Sequence, residues 1–225
     1  MLARLDFVAF VADNLHALVG VVFVLAALAG ARRGGGPTRR FGFALGGLLA
    51  DVHDDDTEPG GLRGLARDLY RALPDAGRQV VAAVLVAAVV LPPFALGFWL
   101  WRRPDHPFAF SWGEQPLESA AAQLLVVALP EETFFRGYVQ TRLTDAFPAN
   151  RKLGPVALSF GALLIQAAMF GAVHIVSDLD PSRLATVFPG LLFGVVRAWR
   201  GGIGACIVLH ALCNLFASTL ARGWG

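Results

Sequence analysis

Three segments in the second half of the chain place ionisable and amide side chains inside otherwise apolar runs. Their polar members are Glu131, Glu132, Arg136, His174, His210 and Asn214. An ionisable residue within an apolar helix is costly unless it is paired, so it marks a functional site by default. Three such helices in one short chain predict a shared polar site.

Residue spacing divides the roles within this site. Glu132 and Arg136 are four residues apart, on one face of a helix, which predicts a salt bridge. Glu131 is rotated by about 100° from Glu132 and keeps a carboxylate without a partner in its own helix. Phe170 lies one turn before His174 and is expected to cover that imidazole with apolar surface.

The remaining pair predicts what the site does. His210 and Asn214 are also four residues apart and present an imidazole beside a carboxamide. Glu131 with His174 could activate water, while His210 and Asn214 donate hydrogen bonds to an oxyanion. Pro130 removes a backbone donor just before the acids, which predicts a loosened helix there. The pattern indicates amide hydrolysis, although spacing alone does not fix the chemistry.

The composition places these helices in a membrane. The 225 residues are 56% hydrophobic and 16% charged, with a mean hydropathy of +0.57. Soluble proteins average about 45–50% apolar and about 25% charged residues. Disorder is excluded by the apolar content, and a net charge of +2 lacks the basic excess of a nucleic-acid partner. We therefore expect an integral protein of the lipid bilayer with no nucleic-acid partner.

The apolar runs predict an all-α fold, a polytopic transmembrane helix bundle with about six to seven spans and a polar intramembrane cavity. The expected spans cover residues 7–31, 80–101, 117–143, 154–176, 184–199 and 203–221, with 41–50 as a short seventh candidate. A signal peptide is the competing interpretation of the first run. Arg32 and Arg33, directly after it, favour a retained helix.

The chain divides into two expected regions. Residues 1–110 form an N-terminal membrane region with an anchor helix, a basic amphipathic interfacial helix at 62–73 and one or two spans. Residues 111–225 form the catalytic helical core. Residues 51–58 hold one histidine and five acids, and we interpret them as a solvated loop. The span at 80–101 is expected to kink or break at Pro92-Pro93.

Basic residues predict the orientation, since cytoplasmic loops are enriched in them. Those expected on the cytoplasmic side are Arg32, Arg33, Arg39, Arg40, Arg142, Arg151 and Lys152. The acidic stretch 177–180 then faces outward. Cys206 and Cys213 are seven residues apart in one apolar segment, so they share a helical face and are expected to be buried and unpaired.

The polar segments resemble the three motifs of the CPBP family. These motifs are Glu131-Glu132-x-x-x-Arg136, Phe170-x-x-x-His174 and His210-x-x-x-Asn214, matched in identity, order and spacing. The family comprises intramembrane proteases, among them CAAX prenyl endopeptidases and bacterial bacteriocin-processing or self-immunity proteins. The resemblance covers roughly residues 117–217. It implies an all-helical membrane core that hydrolyses a peptide bond near the C-terminus of a membrane-associated protein or peptide.

The resemblance also implies the roles of individual residues. Glu131 and His174 would activate water, and His210 and Asn214 would form the oxyanion hole. Structural support falls to the other motif residues: Glu132, Arg136 and Phe170.

No cofactor or metal is expected, because the chain lacks the His-Glu-x-x-His helix of zinc peptidases. A zinc-dependent version would use Glu131, His174 and His210 as ligands.

The nearly lysine-free composition suggests a bacterial cytoplasmic (inner) membrane protein with multiple passes. Some bacterial members, including the myxosortases, which this chain resembles in architecture, remove C-terminal sorting tails. A non-catalytic membrane scaffold that keeps the polar cluster is the main alternative. A proton-coupled transporter is less favoured, because the chain shows no internal repeat. The sequence does not indicate an oligomeric state.

Overall fold

The computed structural model describes residues 14–33, 38–43 and 61–224. The start of the first predicted span, most of the short apolar segment at 41–50 and the acidic loop at 51–58 lie outside the described residues. Within them the fold is helical apart from one short hairpin, so the predicted all-α class is confirmed.

The elements run in the following order. Helix α1 is Leu15–Arg33, a 3₁₀ turn is Thr38–Phe41, and α2 is Gly61–Arg102. A continuous helical run over residues 116–146, here named the glutamate helix, joins α3 (Pro116–Ala122), a π segment (Gln123–Ala128), α4 (Leu129–Glu132), a second π segment (Thr133–Val139) and α5 (Gln140–Ala146). There follow β1 (Arg151–Leu153), β2 (Val156–Leu158), α6 (Phe160–Asp178), a 3₁₀ turn (Pro181–Thr186), α7 (Val187–Arg200) and α8 (Gly204–Trp224).

The first π segment of the glutamate helix accommodates a proline. Pro130 has no N–H, and in a regular helix its ring would meet the carbonyl of the residue four positions earlier. Over residues 123–128 the helix is wider, and the Leu129 N–H bonds to the Leu124 carbonyl, five residues back. The loosening predicted near Pro130 therefore takes the form of a wider turn, and the helix continues.

The second π segment, Thr133–Val139, follows the two glutamates directly. It ends with a bond from the Gln140 N–H to the Phe135 carbonyl, again five residues back. Single π turns are rare and occur mostly at functional sites. In the glutamate helix one precedes and one follows the Leu-Pro-Glu-Glu segment, so the acids lie where the helical register changes twice.

Helix α2 joins two elements that the sequence predicted as separate. The predicted interfacial helix at 62–73 and the predicted span at 80–101 form one helix, which runs without a break through Pro74, Pro92 and Pro93. After Pro74, the Asp75 carboxylate lies 3.4 Å from both Arg78 Nη2 and Gln79 Nε2, so side-chain contacts bridge the next turn. For residues 61–69 the structure describes the helix but not the side chains, so the predicted amphipathic pattern is not tested there.

The predicted count of six to seven spans is not confirmed. Two described helices are long and apolar enough to cross a bilayer, over Ala72–Arg102 and Gly204–Trp224, and Phe160–Val176 is a shorter apolar helix. The expected span at 154–176 begins late, because residues up to 158 form an antiparallel hairpin. The expected span at 184–199 is likewise shortened to the 14 residues of α7 by the preceding 3₁₀ turn.

The turn between α6 and α7 is fixed by local bonds. Helix α6 ends where Leu179 adopts a left-handed conformation with φ of 51°. Asp180 then accepts bonds from the Ser182 hydroxyl at 2.7 Å and the Ser182 N–H at 2.9 Å. These hydrogen bonds from Ser182 hold the pKa of Asp180 below its usual value. Asp180 therefore remains an anion at neutral pH, at the end of the bundle predicted to face outward.

Helices α1 and α2 expose large apolar side chains. Examples are Val21, Val22 and Leu25 on α1, and Val81, Leu85 and Val89 on α2. Apolar patches of this extent are uncommon on soluble monomers. A bilayer is the environment that covers such a surface on long helices.

Helix α7 approaches α6 closely through two glycines spaced as Gly-x-x-x-Gly. A Cβ atom on Gly190 would lie 3.2 Å from Ala167 Cα, and one on Gly194 would lie 2.5 Å from Leu163 Cδ1. Small residues at this spacing let membrane helices pack backbone to backbone. The close approach brings the α7 backbone within reach of buried side chains on the neighbouring helices.

Two buried glutamines use that approach. Gln166 of α6 donates from Nε2 to the Gly190 carbonyl, and Gln140 of the glutamate helix donates to the Gly194 carbonyl, both at 2.9 Å. A buried amide is stable only when it is hydrogen-bonded. These bonds therefore fix α7 in register with both neighbours.

Helix α8 lies between two apolar clusters. Through Ile207 and Ala211 it packs against α1 and the glutamate helix. Through Cys206 and Leu209 it packs against α2 and α7. Both cysteines are free, as predicted. This central position carries His210 into the middle of the bundle.

We expect Gly194→Ala to lower the stability of the bundle. The new methyl group must displace buried side chains of α6, and overpacking of this kind costs about 1–3 kcal/mol. The measurement is the melting temperature of the purified protein in detergent. The control is Gly77→Ala in α2, where nothing lies within 4 Å of an added Cβ; this change should be neutral or slightly stabilising. Equal melting temperatures for the two variants would contradict the proposed close contact.

Candidate active site

The glutamate helix, α6 and α8 bring Glu131, His174 and His210 together. Oε2 of Glu131 lies 3.8 Å from Nε2 of His174 and 3.9 Å from Nε2 of His210. One carboxylate oxygen thus faces imidazole nitrogens from two other helices. Glu131 and His174 keep 18% and 24% of their side-chain surface exposed, whereas His210 keeps 5%. The site is therefore accessible from the side of Glu131 and His174.

The orientation of His174 is set by its own helix. Nδ1 lies 2.8 Å from the Phe170 carbonyl, which can only accept a hydrogen bond, so Nδ1 is the donor. In the neutral imidazole Nε2 then carries a lone pair, and this lone pair points toward Glu131. The Phe170 ring lies 4.5 Å from the His174 ring, as the apolar cover that the spacing predicts.

His210 is oriented by the second glutamate. Its Nδ1 lies 2.9 Å from Oε1 of Glu132, and the Phe193 ring stacks on the imidazole at 5.1 Å. The sequence predicted an ion pair for Glu132 but did not predict this bond. Glu132 therefore positions an imidazole of α8 in addition to pairing within its own helix.

The ion pair between Glu132 and Arg136 is present and fully buried. Nη1 of Arg136 lies 3.2 Å from Oε1 of Glu132, and neither side chain has exposed surface. Nη2 of Arg136 also donates to the Gly190 carbonyl of α7 at 3.3 Å. The guanidinium stacks over the Phe170 ring, 4.2 Å from its centroid. Arg136 thus compensates the charge of Glu132 and joins the glutamate helix to α7.

Asn214 has a partner that sequence reasoning missed. Its Nδ2 donates to Oε1 of Gln123, in the first π segment, at 2.8 Å. Gln123 is the one polar residue in an apolar run eight residues before Glu131, and this isolation was the available signal. The bond fixes the amide plane of Asn214 and leaves one of its two N–H groups free to donate elsewhere.

Each glutamate has one buried oxygen without a hydrogen bond. Oε2 of Glu131 and Oε2 of Glu132 are buried and make no hydrogen bond within the described residues. The separations of 3.8 and 3.9 Å around Glu131 exceed a direct hydrogen bond. Polar atoms at this distance are commonly bridged by water. The geometry can therefore hold a small polar molecule between Glu131 and the imidazoles.

The same three side chains are the ones a zinc ion would use. Ligand atoms on one tetrahedral zinc lie about 3.3 Å apart, given bonds of about 2.0–2.1 Å. The separations here are wider, and no group of three His, Cys, Asp or Glu side chains in the described part of the chain is arranged to hold a metal.

Residues 114–216 match the family described as Type II CAAX prenyl endopeptidase Rce1-like. This segment contains all three motifs. It is related to CAAX-type endopeptidases. The resemblance seen in the motifs is thus confirmed, and at the family level it implies a protease. No curated protein and no solved structure matches the chain significantly.

The matched segment, residues 114–216, begins just before α3 and ends within α8. Helices α1 and α2 lie outside it, yet α1 packs on the glutamate helix and α2 packs on α8. They thus cover the segment from two sides. Two described helices, α2 and α8, are long and apolar enough to cross a bilayer. Together with the family match they indicate a membrane protein.

We expect Arg136→Ala to lower the stability of the helix bundle strongly. The change leaves the buried Glu132 carboxylate without its cation, and breaking a buried pair in this way costs about 3–5 kcal/mol. The measurement is the melting temperature in detergent. A double variant, Glu132→Gln with Arg136→Met, should recover much of the loss because no unpaired charge remains.

The matched control is Arg142→Ala on the same helix. Arg142 pairs with Asp145 at 3.7 Å and is 45% exposed, so its loss should cost less than about 1 kcal/mol. If Arg136→Ala and Arg142→Ala melted alike, the ion pair would have no structural role.

Proposed function

We propose that this protein is an intramembrane endopeptidase that hydrolyses a peptide bond near the C-terminus of a membrane-associated protein. One observation carries the proposal: Glu131 Oε2 faces Nε2 of both His174 and His210, inside a segment that matches CAAX-type endopeptidases. The bilayer supplies the substrate's environment.

In the proposed first step, a water molecule lies between Glu131 and His174. Glu131 accepts a proton from this water, and the lone pair of His174 Nε2 orients it through a second hydrogen bond. The oxygen of the water forms a bond to the carbonyl carbon of the scissile peptide, which becomes tetrahedral. The proton held by Glu131 then passes to the departing amide nitrogen as the C–N bond breaks.

In the proposed second role, His210 and Asn214 stabilise the oxyanion of the tetrahedral intermediate. The free N–H of the Asn214 amide is one donor. Nε2 of His210 is the other, and it can donate only if it carries a proton. Since Nδ1 already donates to Glu132, His210 must then be an imidazolium.

Charge balance supports that assignment. Two carboxylates, Glu131 and Glu132, face one guanidinium, Arg136, so a positive His210 brings the cluster to neutrality. A low-dielectric site penalises any uncompensated charge. His174 differs because its Nδ1 donates to a neutral carbonyl, and the proposed mechanism uses its Nε2 as an acceptor. The two imidazoles thus take opposite roles because their Nδ1 partners differ.

The mechanism as proposed uses no metal or cofactor. The catalytic unit corresponds to residues 111–225, with residues 1–110 as a supporting membrane region. We propose a bacterial cytoplasmic membrane, crossed several times, as the location of the protein. The contact of Arg40 with Asp145 supports the proposed orientation, because it brings the loop after α1 and the loop after α5 to the same end of the bundle.

We expect Glu131→Gln to abolish cleavage. Loss of the base removes water activation, worth about 100- to 10,000-fold in rate, while glutamine keeps the size of the side chain. The measurement compares protein termini in membrane and exported fractions from cells that carry the wild-type or the variant chain. Termini that depend on Glu131 would identify the substrates and the cut position.

The control is Glu118→Gln, an exposed carboxylate in the first turn of the same helix. It should leave every terminus unchanged. Unchanged termini in Glu131→Gln, with normal expression and the proteins detected, would favour a non-catalytic scaffold that keeps the same polar cluster.

We expect Gln123→Met to slow cleavage of an identified substrate by about five- to tenfold, because the lost hydrogen bond lets the Asn214 amide rotate. Gln123→Glu keeps the acceptor oxygen and should retain more activity. Asn214→Ala should cost about 100- to 1,000-fold. Adding Gln123→Met to Asn214→Ala should then have no further effect, since the two residues act as a unit. A further additive loss would show that Gln123 acts elsewhere.

A further inference from the structure

A cavity of about 300 Å³ lies at the end of the bundle where the glutamate helix, the hairpin, the start of α6 and the end of α7 meet. Its lining combines apolar side chains with four charged ones, Arg40, Arg136, Arg197 and Asp145. None of the proposed catalytic side chains is part of this lining. The cavity is therefore a separate feature from the active site, although Arg136 lies close to both.

Arg197 is the least compensated charge in this cavity. Its Nη2 donates to the Arg40 carbonyl at 3.0 Å, whereas its Nε is buried and bonds to no group in the described part of the chain. No carboxylate among those residues forms an ion pair with it. A buried N–H donor without an acceptor is costly, and this one belongs to a half-buried cation.

The other two cavity arginines have their charges balanced. Arg136 faces Glu132, and Arg40 pairs with Asp145. Arg136 nevertheless keeps a buried Nε with no hydrogen-bond partner among the described residues. Counted over the described residues, the cavity thus has one net positive charge, from Arg197, and a further unused N–H donor from the fully buried side chain of Arg136.

We propose that this cavity binds a phosphate group, contributed by the headgroup of an anionic phospholipid or by free phosphate. Guanidinium N–H groups suit phosphate oxygens in geometry and charge. The cavity lies at the end of the bundle that carries Arg40 and Arg142, the end predicted to face the cytoplasm. The cytoplasmic leaflet holds the anionic lipids, so a lipid headgroup is within reach there.

The test uses the purified full chain in detergent and three probes. The probes are a short-chain phosphatidylglycerol, a short-chain phosphatidylcholine and inorganic phosphate, with chloride at matched ionic strength as the reference. Affinity is read from the rise in melting temperature with probe concentration, because a ligand of the folded state stabilises it. Binding of an anionic probe with little effect of phosphatidylcholine is the expected result.

Two arginines at the end of α7 provide the variant and its control. Arg197→Gln should weaken binding of the anionic probe by about tenfold or more, the loss expected for one charge-assisted hydrogen bond. Arg200→Gln removes a charge three residues further on, outside the cavity lining, where Arg200 bonds to Gln79. It should leave the affinity unchanged.

The outcomes distinguish the two sources of the phosphate group, and they include the results that would overturn the proposal. A response to phosphatidylglycerol alone identifies a lipid headgroup, and a response to inorganic phosphate identifies a soluble anion. Equal responses to both lipids with none to phosphate, or unchanged affinity in Arg197→Gln, would overturn the proposal. Should Arg197→Gln fail to fold, Arg40→Gln at the cavity mouth takes its place, and unchanged affinity in that variant would count equally against the site.

Discussion

The rest of the site depends on the burial of one carboxylate. Glu132 has no exposed surface and is stable only because Arg136 and His210 both bind its Oε1. These contacts draw the glutamate helix and α8 together, and Arg136 extends the connection to α7 through the Gly190 carbonyl. Glu131, the next residue towards the N-terminus, therefore faces two imidazoles. The buried Glu132 thus determines where Glu131, the proposed catalytic base, lies.

The backbone allows this convergence. Two π segments widen the glutamate helix on either side of the acids, and Gly190 and Gly194 let α7 approach α6 closely. The buried amides of Gln140 and Gln166 then donate hydrogen bonds to backbone carbonyls of α7. Polar groups in an apolar bundle are costly when unsatisfied, so these bonds restrict the helices to one register.

The sequence predicted well the contacts that lie within a single helix. The Glu132–Arg136 pair follows from spacing within a single helix. The His210–Glu132 and Asn214–Gln123 bonds join residues 78 and 91 positions apart, so they depend on how the helices pack and no spacing indicates them. The span count is not confirmed for a related reason: hydropathy does not show that residues 151–158 form a hairpin, which shortens one predicted span.

In the proposed mechanism, different Nδ1 partners give the two imidazoles opposite roles. The most direct measurement is ¹⁵N NMR of histidine-labelled protein at neutral pH, with signals of the five histidines assigned through His174→Gln and His210→Gln. We expect His174 to carry its single ring proton on Nδ1 and His210 to be protonated on both nitrogens. A neutral His210 with its single proton on Nδ1, or a His174 protonated on Nε2, would contradict it.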